Sequence, residues 1–224
     1  EENPRTYTFK TFLYFAYKYY YRSPELPIVD NIVDHFKQVP KHDVALTELC
    51  SISIGGDLMP YFCITSEQCK DFWAESGDFF FDADLVVANL ETPLNPNKPA
   101  SLVPEVMLSN MYFNANQDMF AVFSGLGKYK GFDVLATANN HSLDQGEDGV
   151  MQTIEFLDQK GIQHVGTARS ENERDAFPIV EKNGIKIGFL SYTFSLNALV
   201  CPEGKTYLAN HLNLNEVNPD LSLI

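Results

Sequence analysis

Apolar positions along the chain change their spacing near residue 50. Residues 1–23 are rich in aromatic side chains and helix formers, and the SPELP break at Pro24 and Pro27 ends that stretch. In IVDNIVDHFKQ the apolar residues Ile28, Val29, Ile32, Val33 and Phe36 recur at helical spacing until Pro40. From residue 50 onward, short apolar runs alternate with amphipathic ones. CSISIGGD predicts a buried strand with a tight glycine exit, and SEQCKDFWAES a helix capped by Ser66. DLVVANLE is a Val-rich strand of the kind found in parallel sheets, and ANQDMFAVFSGLGKY is a helix capped by Asn116. FDVLATANNH predicts a third strand, EDGVMQTIEFLDQKG a helix closed by Gly161, and IQHVGTA a fourth strand. FPIVEKNGIKIGFLSYTF reads as a hairpin turned at Asn183-Gly184. The pattern predicts an α/β domain over 49–224 with mostly parallel strands, preceded by a helical, aromatic-rich segment at 1–48.

Composition supports a folded chain: 45% of the 224 residues are apolar and 21% charged. The net charge of −14 is concentrated in 49–224, where 10 basic residues face 23 acidic ones. This argues against a nucleic-acid partner, which requires a clustered cationic footprint. It also means that an anionic substrate needs a metal ion or a local cationic pocket to offset the field of the domain. No apolar run reaches the ~18 residues of a membrane span. In TYTFKTFLYFAYKYYYR, Lys10, Lys18 and Arg22 flank the rings, as they do in a helix packed on protein or at a membrane surface. Cys50, Cys63, Cys69 and Cys201 form no zinc pattern and are compatible with thiols or with two disulfides.

Three strands end in polar residues: Gly55-Gly56-Asp57, Asn89-Leu90-Glu91, and Asn139-Asn140-His141 followed by Asp144. Taken singly, each reads as a turn former, a helix cap or a solvated acid. Taken together, they predict a site, because ligands of open α/β sheets lie beyond the carboxyl ends of the strands. Their oxygen and nitrogen donors suit Mn²⁺, Fe, Zn²⁺ or Mg²⁺. Arg169 and Arg174 are the only arginines of the acidic domain, and Arg169 is a candidate contact for a carboxylate or phosphate group. His35, His42 and His164 read as structural or surface residues.

The segments ISIGGDLMP, DLVVANLETPL, GFDVLATANNHSLDQGEDGVMQTIEFLDQKGI and KIGFLSYTFSLN together resemble the bacterial capsule-synthesis CapA family. That family is associated with poly-gamma-glutamate capsules and belongs to the calcineurin-like metallophosphoesterase superfamily. The resemblance covers 49–197, and ANNHSLDQGEDG is its most specific part. It implies a metallophosphoesterase-like two-sheet sandwich flanked by helices, with a metal centre at one edge. It implies divalent metal bound by Asp57, Glu91 and Asn140, with His141 helping to protonate the leaving group or to orient the attacked phosphoryl group. Asn139 joins Arg169 as a substrate-binding candidate, and Asp144 and Gly146 match a D-x-G continuation expected to shape the next helix entry. Met59 stands where the superfamily's D-x-H carries histidine. The HWG-type and GHHPH-type segments of the family are not in this sequence, so half a metal shell and a sandwich incomplete at the C-terminus are expected.

Two functions follow from the resemblance. One is a metal-dependent hydrolase of phosphoester or anionic polymer substrates. The other is a non-catalytic subunit that binds or guides an anionic capsule polymer during assembly or export. Association with a membrane surface or the capsule machinery through the N-terminal segment is a further expectation.

Overall fold

Strand-forming runs of valine, leucine and isoleucine assemble into a parallel sheet in the order β1-β2-β3-β4: Ile52–Asp57, Leu85–Asn89, Val134–Ala136 and Gln163–Val165. The computed structural model describes residues 9, 10, 13, 14, 17, 49–103 and 112–212. The chain divides into two units, Glu1–Ala45 and Leu46–Ile224. In the first, residues 9, 10, 13, 14 and 17 are helical; the helix expected at 28–38 lies outside the described residues, as do His35 and His42. Among the described residues no helix is long and apolar enough to cross a membrane.

The second unit is α/β with two sheets. Helices α1 (Gly77–Phe81) and α2 (Gln117–Phe123) lie in the first two strand connections, and α3 (Gly146–Lys160) links β3 to β4. A short α4 (Glu171–Asp175) precedes the antiparallel hairpin β5 (Ile179–Lys182) and β6 (Ile185–Gly188). The hairpin turns at Asn183 and Gly184, both at positive φ (53° and 79°), as the Asn-Gly pair predicts. Asn116 caps α2 by accepting the Met119 N–H, and Gly161 closes α3 at φ 69°. Helix α4 was not foreseen, although Ser170 and Glu173 carry the Ser-x-x-Glu signature of a helix start; the Ser170 hydroxyl accepts the Glu173 N–H.

The central strands are the most buried: Leu85, Val86, Val134 and Leu135 have no exposed surface. Val86 and Leu135 pack with Met119, Phe120, Phe123, Phe156 and Leu157 in the larger core cluster. A smaller cluster joins Val150 and Ile154 of α3 to Leu143, Leu196 and Leu208.

Three local expectations are corrected. First, β1 forms but is an edge strand, and Ile54 is 76% exposed. Second, residues 66–76 are turns. The backbone N–H and hydroxyl of Ser66 bond to the Asp118 carboxylate, and the Trp73 indole donates to the Val122 carbonyl at 2.7 Å. These tertiary partners hold the segment against α2 and override its helical pattern. Third, β3 stops at Ala136, because the Ser142 hydroxyl donates to the Thr137 and Asn139 carbonyls and accepts the Asn139 N–H. Side chain-to-backbone bonds thus turn the chain where a ladder would otherwise continue. All four cysteines are free thiols.

Candidate functional site

The carboxyl ends of β1, β2 and β3 converge on one polar network. Ile54 pairs with Val87 and Asp57 with Asn89, so Gly55 and Gly56 together face one β2 residue in a bulge. A side chain at Gly55 would sit 3.2 Å from the Ala88 Cβ, so glycine suits this close approach. The two glycines remain in the strand, and their bulge sets Asp57 opposite Asn89. The Asn89 amide donates to Asp57 Oδ1 at 2.8 Å. Asn139 Nδ2 donates to Asn89 Oδ1 at 3.2 Å and to the Leu90 carbonyl at 2.8 Å, and Asn139 Oδ1 accepts the His141 N–H at 3.0 Å.

Asp57 is exposed and Glu91 half-buried. Burial, with the Asp57 carboxyl beside it, pushes Glu91 up to about 7. Two carboxyl groups in such proximity disfavour joint ionisation, and an added cation relieves this.

His141 is buried, and its Nδ1 lies 2.6 Å from Asp144 Oδ2. The Phe113 N–H donates to the same oxygen at 2.6 Å, while the Phe113 ring stacks on the imidazole with centroids 3.8 Å apart and planes 15° apart. Asp144 Oδ1 has no partner among the described residues, and burial raises this acid against the opposing pull of His141 and the Phe113 N–H. Asp144 therefore serves the imidazole. The first helical turn of α3 is entered through Gln145, which makes no side-chain cap, and through Gly146 at φ 68°.

The candidate residues divide into three groups. Asp57, Asn139 and His141 share one hydrogen-bond network, and Glu91 joins it through Asp57. Asn140 lies to one side, its Nδ2 3.4 Å from Asn197 Oδ1, and no hydrogen bond of its own Oδ1 occurs among the described residues. Arg169 belongs to a different cluster. Its guanidinium bonds to Asp158 and Glu173, on a separate cleft of about 390 Å³ that His164 and Arg174 also line. Asn89, Phe113 and Ser142 were not singled out as site residues in the sequence. The strand-end position of Asn89 was a signal; Phe113 and Ser142 left none.

The donor set fits a divalent cation in part. Two adjacent carboxylates offer hard oxygen ligands, but among the described residues no three His, Cys, Asp or Glu side chains form a metal-holding group.

Residues 36–220 match the family described as bacterial capsule synthesis protein PGA_cap. The chain belongs to this family. Two proteins of Sinorhizobium fredii (strain NBRC 101917 / NGR234), y4sH and y4uA, are each 25% identical to it over 169 residues, 75% of this chain and 32% of theirs. The capsule biosynthesis protein CapA of Bacillus anthracis is 33% identical over 100 residues, 43% of this chain and 22% of its own. The aligned part of this PGA_cap chain thus spans about a third or less of the length of these relatives.

His164, read from the sequence as a structural or surface residue, has a largely buried imidazole in this PGA_cap family chain, and its Nδ1 has no partner among the described residues. Burial lowers its pKa from the usual 6.5. The native state therefore holds the neutral ring, and its contribution to stability is present above pH 6.5 and lost as pH falls below it. In thermal melts at pH 5 and pH 7, His164→Gln is expected to lose less stability on acidification than the parent chain. An equal loss in both would show that His164 does not set the acid limb.

Proposed function

We propose that this capsule synthesis protein is a metal-dependent hydrolase of phosphoester or anionic polymer substrates, and that Asp57 and Glu91 supply the carboxylate part of its cation site. The observation that carries the reading is the pairing of these two acids at adjacent parallel strand ends, one network away from a buried His141–Asp144 pair. A divalent cation held there would polarise a phosphoryl or carboxyl oxygen and lower the pKa of a bound water. The Asn140 amide oxygen is the third donor proposed for it. Asn89 orients Asp57 by donating to Oδ1, which leaves Oδ2 for ligation.

His141 is the proposed general acid. Its Nδ1 is engaged by Asp144, which leaves Nε2 as the nitrogen for proton transfer. The Asp144 contact fixes Nδ1, and the stacked Phe113 ring holds the imidazole plane. Asn139 is proposed to contribute through position, since both ends of its amide are already bonded within the network. The guanidinium of Arg169 is paired with Asp158 and Glu173, and it plays no part in this mechanism. The second reading is a non-catalytic subunit that binds or guides an anionic polymer. It is supported by family membership.

Elemental analysis of protein purified without chelators tests the hydrolase reading. Stoichiometric Mn, Fe, Zn or Mg is expected in the parent chain and in His141→Ala, and is expected to be lost in Asp57→Ala. Phosphoesterase turnover is expected to fall in both variants. No bound metal after supplementation with each ion would remove the hydrolase reading and leave the binding subunit.

A further inference from the structure

The opposite end of the sheet holds a second feature. A cleft of about 660 Å³ opens where β3 and β4 begin, beside Asp133 and Gln163, and Val180 and Lys182 of β5 also line it. Its volume is in the range of small-molecule sites, roughly 300–1,000 Å³. The lining carries three lysines, Lys130, Lys160 and Lys182, and one acid, Asp133, although acids outnumber bases by 23 to 10 in residues 49–224. A local excess of positive charge in so acidic a body concentrates anions that the rest of the surface repels.

The charges are not equivalent. Lys130 is satisfied: its ammonium donates to the Ala83 and Asp84 carbonyls and lies 3.1 Å from Asp133. Asp133 in turn accepts the Val86 N–H, so that pair is structural. Lys160 and Lys182 have no carboxylate partner among the described residues. The Lys160 ammonium lies 5.7 Å from the centre of the Phe156 ring. Its position in the last turn of α3 suits the helix dipole, but Lys182 has no such explanation. The lining also includes Phe132, Phe156, Ile162 and Val180. Two ammonium groups without a carboxylate partner among the described residues, in a cleft with apolar side chains in its lining, form a surface for an anion with an apolar body.

We infer that this cleft is a binding site for a small organic dianion, separate from the Asp57–Glu91 site and independent of the hydrolase reading. The acidic groups of the ligand pair with Lys160 and Lys182, and its apolar body lies on Phe132, Phe156 and Val180.

The test uses the whole chain and 1,5-naphthalenedisulfonate, a rigid aromatic dianion that phosphoesterase chemistry cannot consume. Calorimetric titration is expected to give saturable binding that weakens with added salt, with backbone amide shifts at Lys160–Gln163 and Val180–Lys182. The double variant Lys160→Gln/Lys182→Gln is expected to bind about tenfold more weakly or worse, with its melting temperature preserved. Asp57→Ala is expected to bind like the parent. Absence of saturation up to ~10 mM, unchanged affinity in the double lysine variant, or loss of binding in Asp57→Ala would each overturn the assignment.

Discussion

Asp144→Ala is expected to lower the unfolding free energy by about 3 kcal/mol, the largest single-site loss outside the apolar core. The Asp144 side chain has no exposed surface, and one of its oxygens serves two donors, His141 Nδ1 and the Phe113 N–H, each at 2.6 Å. Truncation strands both donors in a buried place, at about 1–3 kcal/mol each. The loss stays below the sum because Asp144 is itself held at a cost: burial raises its pKa, and Oδ1 is unpartnered. Asp144→Asn keeps one acceptor and should lose about half as much. Urea unfolding of the two variants and of His141→Phe/Asp144→Leu checks the assignment. The double apolar variant should recover part of the loss, since it removes the donor on His141 together with its acceptor. If Asp144→Ala unfolds like the parent, the carboxylate is not the anchor of the imidazole.

Glu91→Gln is expected to stabilise the cation-free chain at pH 8 and to leave it unchanged at pH 4. The Glu91 carboxyl titrates near 7 in the native state, above the 4.5 of a free glutamate, because it is partly buried and lies beside Asp57. A raised carboxyl pKa means that the folded state holds the proton more tightly than the unfolded one. Its contribution is therefore complete below pH 4.5 and is lost as pH rises through 7. Glutamine mimics the protonated form and escapes that loss. Because the group is half in solvent, the gain is about 1 kcal/mol at pH 8, or ~2–4 °C in melting temperature. Melts in chelator and in Mn²⁺ separate the two roles of Glu91. The chelated variant should be the more stable, whereas Mn²⁺ should raise the melting temperature of the parent and not that of Glu91→Gln. Identical melts of parent and variant at pH 8 in chelator would show that the two carboxyl groups do not oppose each other.

The elements legible in the sequence are those whose cause lies within a few residues. Helix α2 starts at Asn116 because that side chain caps its own first turn, and α3 stops at Gly161 because glycine accepts the left-handed conformation. The hairpin turns at Asn183-Gly184 for the same kind of reason. The stretch 66–76 was misread because its Ser66 and Trp73 are satisfied by Asp118 and Val122, far along the chain. Strand β1 was expected to be buried from its isoleucines, but burial depends on what lies alongside, and β1 lies at the sheet edge.

The site divides in the same way. Polar residues at three successive strand ends are visible in the sequence, and they mark where chemistry gathers. Their pairing required the sheet. Asp57 meets Asn89 from 32 residues away, and Asn139 meets Asn89 from 50, only because parallel strands bring those ends side by side. Asp144 lies three residues from His141, yet its role depended on Phe113, whose N–H and ring complete the pocket around the imidazole. By itself, then, the sequence determined the strand-helix order, the caps and turns, the family and the residues worth examining, because these follow from local stereochemistry and residue type. Only the tertiary structure decided which carboxylate faces which amide, where Arg169 is bound and that two lysines of one cleft have no carboxylate partner among the described residues, because those outcomes depend on distances between segments that have no fixed separation until the sheet forms.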